Sequence, residues 1–305
     1  MSYFECPQPE VLDEPDDPAV EQLVVPRSAD LGGFEVARVL PSRQRRMVGP
    51  FVFLDQMGLG VFSPGQGLDV RPHPHIGLAT VTYLFSGELL HRDSLGSRQV
   101  IRPGAVNWMT AGKGIAHSER TPEALRPGGS ELFGLQAWVA LPGALEECAP
   151  NFAHHAGEVL PRVEEPGMRA TILAGGIWGR RSPVALASDA LYVDVELAAG
   201  ARVPIDSDFP ERAVYVATGA IRMDGIDHPA GRLLVIRPGA RLHIEAIEES
   251  RVALLGGEPL EGPRHIWWNF VSSRRDRIEQ AKSDWQAGRF DRVVDEHEWI
   301  PLPET

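Results

Sequence analysis

The sequence predicts an all-β protein: two tandem β-barrel domains followed by one C-terminal α-helix. Three observations carry that prediction. Short apolar runs such as FEVARVL, ATVTYLF, GLQAWVALP, LYVDVELAAG and RVALLGG are cut by Gly and Pro, the texture of sandwiches and barrels. Two motifs recur in the same order: YLFSG at 83–87 and YVATG at 215–219, then VIRPGA at 100–105 and again at 235–240. The second copies follow the first by 132 and 135 residues, as expected of two domains of related design. Helical periodicity is confined to the end of the chain.

Residues 1–25 are acidic and Pro-rich and read as an extended arm or a poorly ordered tail. Residues 26–160 make the first barrel and 161–262 the second, joined near PRVEEPGM at 161–168. Residues 263–305 form a helical tail. Within it, Ser273 and Asp276 stand at capping-box spacing, Ile278, Ala281 and Trp285 share one face, and Gly288 takes the place of a C-terminal cap glycine.

Bulk numbers exclude several functions. The chain has 305 residues, with 43% hydrophobic and 24% charged, the balance of a globular protein. Thirty Lys and Arg against 42 Asp and Glu give a net charge of −12, which argues against direct nucleic-acid binding. The basic run SRQRR at 42–46 is too small to reverse this and reads as a solvated loop. Two cysteines, Cys6 and Cys148, make no disulfide framework and no thiolate zinc site. No stretch has the length of a membrane span and no secretory leader is evident, so a cytoplasmic protein without a membrane role is expected.

The chemistry concentrates in RPHPHIGLATVTYLFSG, 71–87, and AGKGIAHSE, 111–119. Alternation along a strand puts His73 and His75 on one face, and likewise His117 and Glu119. Two such pairs converging in a barrel supply three imidazole nitrogens and a carboxylate oxygen, a set suited to a divalent first-row metal such as Fe(II). Manganese, cobalt, nickel, copper or zinc would also be accepted. The same parity carried onward through Gly77, Ala79, Val81, Tyr83 and Phe85 predicts a mostly apolar cavity around the metal.

The repeat acts as an internal control. Aligning the Tyr-x-x-x-Gly motifs sets Ile205 and Ser207 opposite His73 and His75. Aligning VIRPGA sets Val252 and Leu254 opposite His117 and Glu119. The second copy thus has no ligands, so the four residues are not demanded by the fold. A lone His-x-His in a strand is more often packing or surface chemistry; the second pair and the emptied repeat favour a metal site. Other candidates read as structural. His91 is a strand-end residue or a support to the site, with the structural reading ahead. His154 and His155 read as solvated loop residues, and His243 as core. The glycines of GKG at 112–114 shape a turn that delivers His117. Trp267 and Trp268 pack the tail against the barrels, and Cys148 has no motif around it.

HPHIG, the strand ending in Gly87, WMTAGKGIAHSE, RRMVGPFVFLDQMG, GLQAWVALP and IWWNFVSS together resemble the pirin family of the cupin superfamily, over nearly the whole chain after residue 30. The resemblance implies two jelly-roll-like cupin barrels, the first holding iron through His73, His75, His117 and Glu119. Many cupins carry a Glu shortly after His-x-His; Ala79 stands there, so the carboxylate has to come from Glu119. The resemblance further implies an iron-dependent dioxygenase that opens a flavonol such as quercetin and releases carbon monoxide. Glu119 would be the base for the substrate 3-hydroxyl. The alternative it implies is a redox-sensing regulator that binds a protein partner through the iron-loaded bicupin without turnover.

Overall fold

A computed structural model describes residues 9–13, 17–30, 34–205, 209–241 and 243–303. Two strands, β1 (Glu10–Asp13) and β2 (Val20–Val25), come first. The next eleven are β3 (Arg27–Asp30), β4 (Glu35–Leu40), β5 (Phe51–Phe62), β6 (Asp69–His75), β7 (Leu78–Gly87), β8 (Leu89–Asp93), β9 (Arg98–Ile101), β10 (Val106–Thr110), β11 (Ile115–Arg120), β12 (Ser130–Ala140) and β13 (Asn151–His155). They form a seven-stranded sheet, β13-β10-β7-β12-β5-β4-β3, facing a four-stranded sheet, β6-β11-β8-β9. This is the first barrel.

The chain then runs through β14 (Arg162–Glu165), β15 (Met168–Ala174), β16 (Gly176–Ile177), β17 (Arg180–Arg181), β18 (Ala190–Leu197), β19 (Arg202–Pro204) and β20 (Glu211–Thr218). It continues with β21 (Ala220–Met223), β22 (Ile226–Pro229), β23 (Arg232–Ile236), β24 (His243–Ala246) and β25 (Ser250–Gly257). The second barrel pairs an eight-stranded sheet, β1-β2-β23-β20-β25-β18-β15-β14, with a four-stranded one, β19-β24-β21-β22. The predicted architecture is therefore observed: two barrels of one design, each a large sheet against a small one.

The large sheets pack face to face, and their contact is the main core between the barrels. It is built from Phe51, Val81, Tyr83, Leu135 and Val139 on one side and Tyr192, Ala213, Tyr215, Leu233 and Leu255 on the other. The contact has an internal two-fold logic. Tyr83, in line with Leu135 and Gln56 across the first sheet, donates its hydroxyl hydrogen to Asp194 of the second at 2.8 Å. Tyr215, in line with Ala253 and Asp194 across the second, donates to Gln56 of the first at 2.9 Å. Each tyrosine thus reaches the residue two strands from its counterpart.

Three expectations change. The acidic N-terminal stretch is not a free arm where it is described: β2 pairs with β23 and fills the second barrel's edge, as β13 does for the first. Val20 and Val24, on either side of a bulge, are both fully buried, Val20 inside the second barrel and Val24 in the core between the barrels, and that burial outweighs the acidic composition around them. Residues 1–8, with Cys6, lie outside the described residues. The VIRPGA copies are not equivalent. The first closes β9 and the second closes β23, and each makes the same four-residue turn, Ala105 N–H to Arg102 O and Ala240 N–H to Arg237 O. The identity reflects a shared turn chemistry placed one strand out of step. Lastly, β6 and β7 belong to different sheets, so the parity of the histidines does not carry across Gly77.

The tail begins with a hairpin, β26 (His265–Trp267) and β27 (Phe270–Ser272), and continues into α1 (Arg275–Gln286). Ile278, Ala281 and Trp285 pack on Trp268 and Phe270 as the periodicity requires. Arg289 N–H reaches Asp284 O at 2.8 Å and Gly288 N–H reaches Trp285 O at 3.1 Å, a Schellman ending with Gly288 at φ +66°. The capping box does not form. The N-cap is Arg274, and the Ser273 hydroxyl and N–H are taken by the Glu146 carboxylate. Among the described residues no helix is long and apolar enough to cross a membrane.

Candidate metal centre

Strands β6 and β11 lie side by side, with His73 opposite His117 and His75 opposite Ile115. Side-chain alternation turns all three imidazoles into the first barrel. Gly77 then ends β6. It sits at φ +67°, and a Cβ there would lie 2.0 Å from Val271 O of the tail hairpin, so only glycine permits the turn. Gly112, at φ +51°, accepts from Gly77 N–H at 2.9 Å, which ties the turn before β11 to the end of β6.

One nitrogen from each of His73, His75 and His117 falls within 4.8 Å of the others, and all three residues are buried. His75 Nε2 and His117 Nε2 are 3.1 Å apart. His73 donates Nδ1–H to Arg71 O at 2.8 Å, which leaves its Nε2 lone pair free. Burial, reinforced by the neighbouring imidazoles, holds His73 and His117 well below the usual histidine range. Burial brings His75 down to about 3, against a smaller opposing pull from the Asn269 backbone. All three rings are neutral at pH 7. Neutral, converging, water-shielded imidazoles fit a divalent first-row cation.

Glu119 is buried in the same barrel; β11 runs in unbroken register against β8 from His117 to Glu119, and the extra residue of the bulge between them lies on β6. Its carboxylate accepts from Gln136 Nε2 at 2.8 and 3.0 Å and from Thr82 Oγ1 at 3.2 Å. It is not one of the three closely grouped residues. The structure thus brings His73, His75 and His117 together and holds Glu119 beside them by its own partners.

The wall under these residues differs from the apolar cavity expected. Ala79, Val81 and Tyr83 face the core between the barrels, with Phe85 packed at its margin. Thr80 and Thr82 face inward instead, the reversal imposed at Gly77. One cross-strand row of the large sheet reads Arg38, Asp55, Gln136, Thr82, Asn107 and His154. Arg38 pairs with the Asp55 carboxylate at 2.9 and 3.0 Å, and burial raises the Asp55 pKa despite that arginine. His154 Nδ1 lies 2.7 Å from Asn107 Oδ1. His154 and His155 are accordingly half-buried members of β13, not loop residues. The neighbouring row supplies the apolar part: Phe53 stacked on Trp138 at 4.0 Å, with Met109 and Phe152 beside them.

Two supports were hidden in the sequence. His91 is buried behind His117, its Nδ1 3.4 Å from His117 Nδ1 and its Nε2 2.9 Å from Asp93 Oδ2. Burial pushes the Asp93 carboxyl up, but hydrogen bonds from His91 and Ser97 outweigh it and hold the group below its ordinary value. The second is the tail. Glu296 accepts from Ser118 Oγ at 2.9 Å and from Arg120 at 2.8 and 2.9 Å, and Ile300 N–H reaches Pro72 O at 2.8 Å. This strap crosses the outer face of the strands that carry the histidines. The only sequence signal for either was the presence of His91 itself.

In the second barrel the counterpart of β11 is β24, the strand paired with β19 and β21. Val252 and Leu254, set opposite His117 and Glu119 by the repeat, lie on β25 instead, the counterpart of β12. Register through Arg222 and Glu245 matches Glu119 with Ile244, and His117 with Leu242, which lies outside the described residues together with Ser207. Ile205 is core, as is Ile244. His243, expected in the core, is exposed. The contrast between copies therefore holds at the positions that are described, with different partners.

A family model described as Pirin matches residues 33–139, and one described as Pirin C-terminal cupin domain matches residues 192–291. A pirin-like protein of Caulobacter vibrioides is 53% identical over 91% of this chain and 97% of its own length. A Pseudomonas aeruginosa protein named provisionally as a quercetin 2,3-dioxygenase is 42% identical over 89% of this chain and 86% of its own. The crystal structure of a quercetin 2,3-dioxygenase from Acinetobacter baumannii superposes with a TM-score of 0.86 at 37% identity, covering 93% of this chain and 95% of that one.

Proposed function

The chain belongs to the pirin family, and from that premise we propose that it is an iron-dependent dioxygenase of the cytoplasm that cleaves flavonols such as quercetin. The observation that carries the reading is the convergence of three buried, neutral imidazoles in the first barrel and nowhere else among the described residues. The names of the Pseudomonas and Acinetobacter relatives supply the substrate class.

His73, His75 and His117 would hold the ion, with Glu119 as the fourth, oxygen donor. Iron bound there supplies the oxygen and redox chemistry. Glu119 takes the proton of the flavonol 3-hydroxyl: its oxygens accept from Gln136 and Thr82, which hold the carboxylate in place. Phe53, Trp138 and Met109 exclude water from one side of the site. The polar row through Thr82, Asn107 and Gln136 suits a ligand that carries hydroxyl groups.

Oxygen uptake by the iron-loaded protein with quercetin is the test. Uptake with carbon monoxide release, abolished by His73→Ala and by Glu119→Ala, is expected. An iron-loaded protein that leaves a range of flavonols unchanged would overturn the proposal.

A further inference from the structure

We propose that His91 and Asp93 are positioning residues of the metal centre, a pair that fixes the tautomer and ring angle of His117. The inference rests on the metal reading and is independent of the substrate.

Asp93 is fully buried, and its Oδ1 accepts from Leu95 N–H at 2.9 Å and Ser97 N–H at 3.0 Å. Those bonds lock the carboxylate into the turn between β8 and β9. Its Oδ2 faces His91 Nε2 at 2.9 Å. A carboxylate only accepts, so Nε2 of His91 carries the hydrogen, and in that tautomer Nδ1 turns its lone pair toward His117 Nδ1 at 3.4 Å. The hydrogen on that line then belongs to His117, whose Nε2 lone pair points at the centre. Phe152 stacks on His91 at 4.3 Å and 12°, which fixes the plane in which Nδ1 is presented.

The ligands are supported differently. His73 leans on the Arg71 carbonyl, a fixed backbone group. His75 has the backbone of Asn269 beside it, again a fixed group, and no side-chain partner for Nδ1 among the described residues. His117 alone depends on a pair of side chains, so its orientation is the most open to mutation. The second barrel argues against a purely structural role. His91 is four residues beyond Gly87, and the residue four beyond Gly219 is Met223, fully buried in an apolar core. Asp93 is matched by Gly225. A barrel without a metal site closes the same corner with a thioether and no carboxylate.

Zinc serves as the diamagnetic probe. In the zinc-loaded wild type, long-range proton–nitrogen NMR is expected to show His91 protonated at Nε2 and bare at Nδ1, with His117 protonated at Nδ1. His91→Phe keeps the ring volume and the stack on Phe152 but removes the acceptor. Its zinc affinity is expected to fall about 10–100-fold, the usual effect of losing an outer-shell partner. His91→Gln, whose amide oxygen can accept from His117, should recover much of that loss. His91→Met, the second barrel's residue at this corner, should bind zinc as poorly as His91→Phe. A His91 ring protonated at Nδ1 in wild type would overturn the inference, as would His91→Phe binding zinc as tightly as wild type. A wild type that takes up neither zinc nor iron would instead defeat the metal reading itself.

Discussion

The two barrels share strand order, a large sheet packed on a small one, and the exchanged tyrosine bonds, yet their inner walls are opposites. The row Arg38, Asp55, Gln136, Thr82, Asn107, His154 in the first barrel corresponds, strand by strand, to Ile172, Val193, Leu254, Val214, Leu234, Leu23 in the second. The match is anchored by the tyrosine that follows Thr82 and Val214. Six polar residues face six hydrocarbons at equivalent places. The fold thus closes readily over an apolar interior, and the polar wall of the first barrel is an addition that burial alone would oppose. The small sheets differ too. In the first, the tail crosses its outer face through Glu296; in the second, pairs such as Arg202 with Glu245 and Arg222 with Asp227 lie exposed.

The largest effect expected is on metal. His73→Ala or His117→Ala should reduce bound iron to background by elemental analysis, with the second barrel's hydrogen-exchange protection unchanged. A variant that keeps its iron would erase the distinction between the barrels. Next comes the buried ion pair. Arg38→Ile alone strands the Asp55 carboxylate and should cost about 3 kcal/mol in denaturant unfolding. Arg38→Ile with Asp55→Val, copying Ile172 and Val193, should return to wild-type stability or better. Equal losses in the single and double variants would mean that the pair is needed by the fold.

A smaller effect is expected at the strap. Glu296→Gln should lower local protection of the tail by about 2 kcal/mol in hydrogen exchange, the scale of charged hydrogen bonds. Burial raises the Glu296 pKa, yet Arg120 and Ser118 outweigh it and hold the group below its ordinary 4.5. A detached tail therefore takes up a proton first as the pH falls. The strap's stabilisation is whole above about 4.5 and is lost as the pH drops through the lowered bound value. Protease cutting after α1 should rise over that window in wild type and show no such step in Glu296→Gln.

The smallest effect separates the exchanged tyrosines. Tyr83→Phe removes a bond to Asp194, which also takes a bidentate pair from Arg251, whereas Tyr215→Phe removes a bond to the neutral Gln56. Thermodynamic losses of about 2 and about 1 kcal/mol are expected. The reverse order would show that the two contacts are not equivalents distinguished by charge.

The ligand histidines were legible because each pair lies within one strand, where alternation is read from three consecutive letters. The helix face and Gly288 were legible for the same local reason. The polar row was not: Arg38, Asp55, Gln136, Thr82, Asn107 and His154 come from six strands, and no local pattern marks them as neighbours. The apolar-cavity reading failed at one residue, since Gly77 resets the alternation that predicted it. The VIRPGA alignment failed because RPGA encodes a turn and turns recur wherever strands end. His91 carried the right signal, but its meaning depended on Asp93, Phe152 and His117 meeting in space.

The placement of β2 has a consequence for biosynthesis. The strand that completes the second barrel's edge leaves the ribosome long before β23, the strand it pairs with, has been made. Val20 and Val24 must meanwhile stay unburied, available to a chaperone or to a neighbouring nascent chain. A gene fragment encoding the second barrel alone would accordingly yield a sheet with a bare flank. Supplying Val20–Val25 as a separate peptide should restore it.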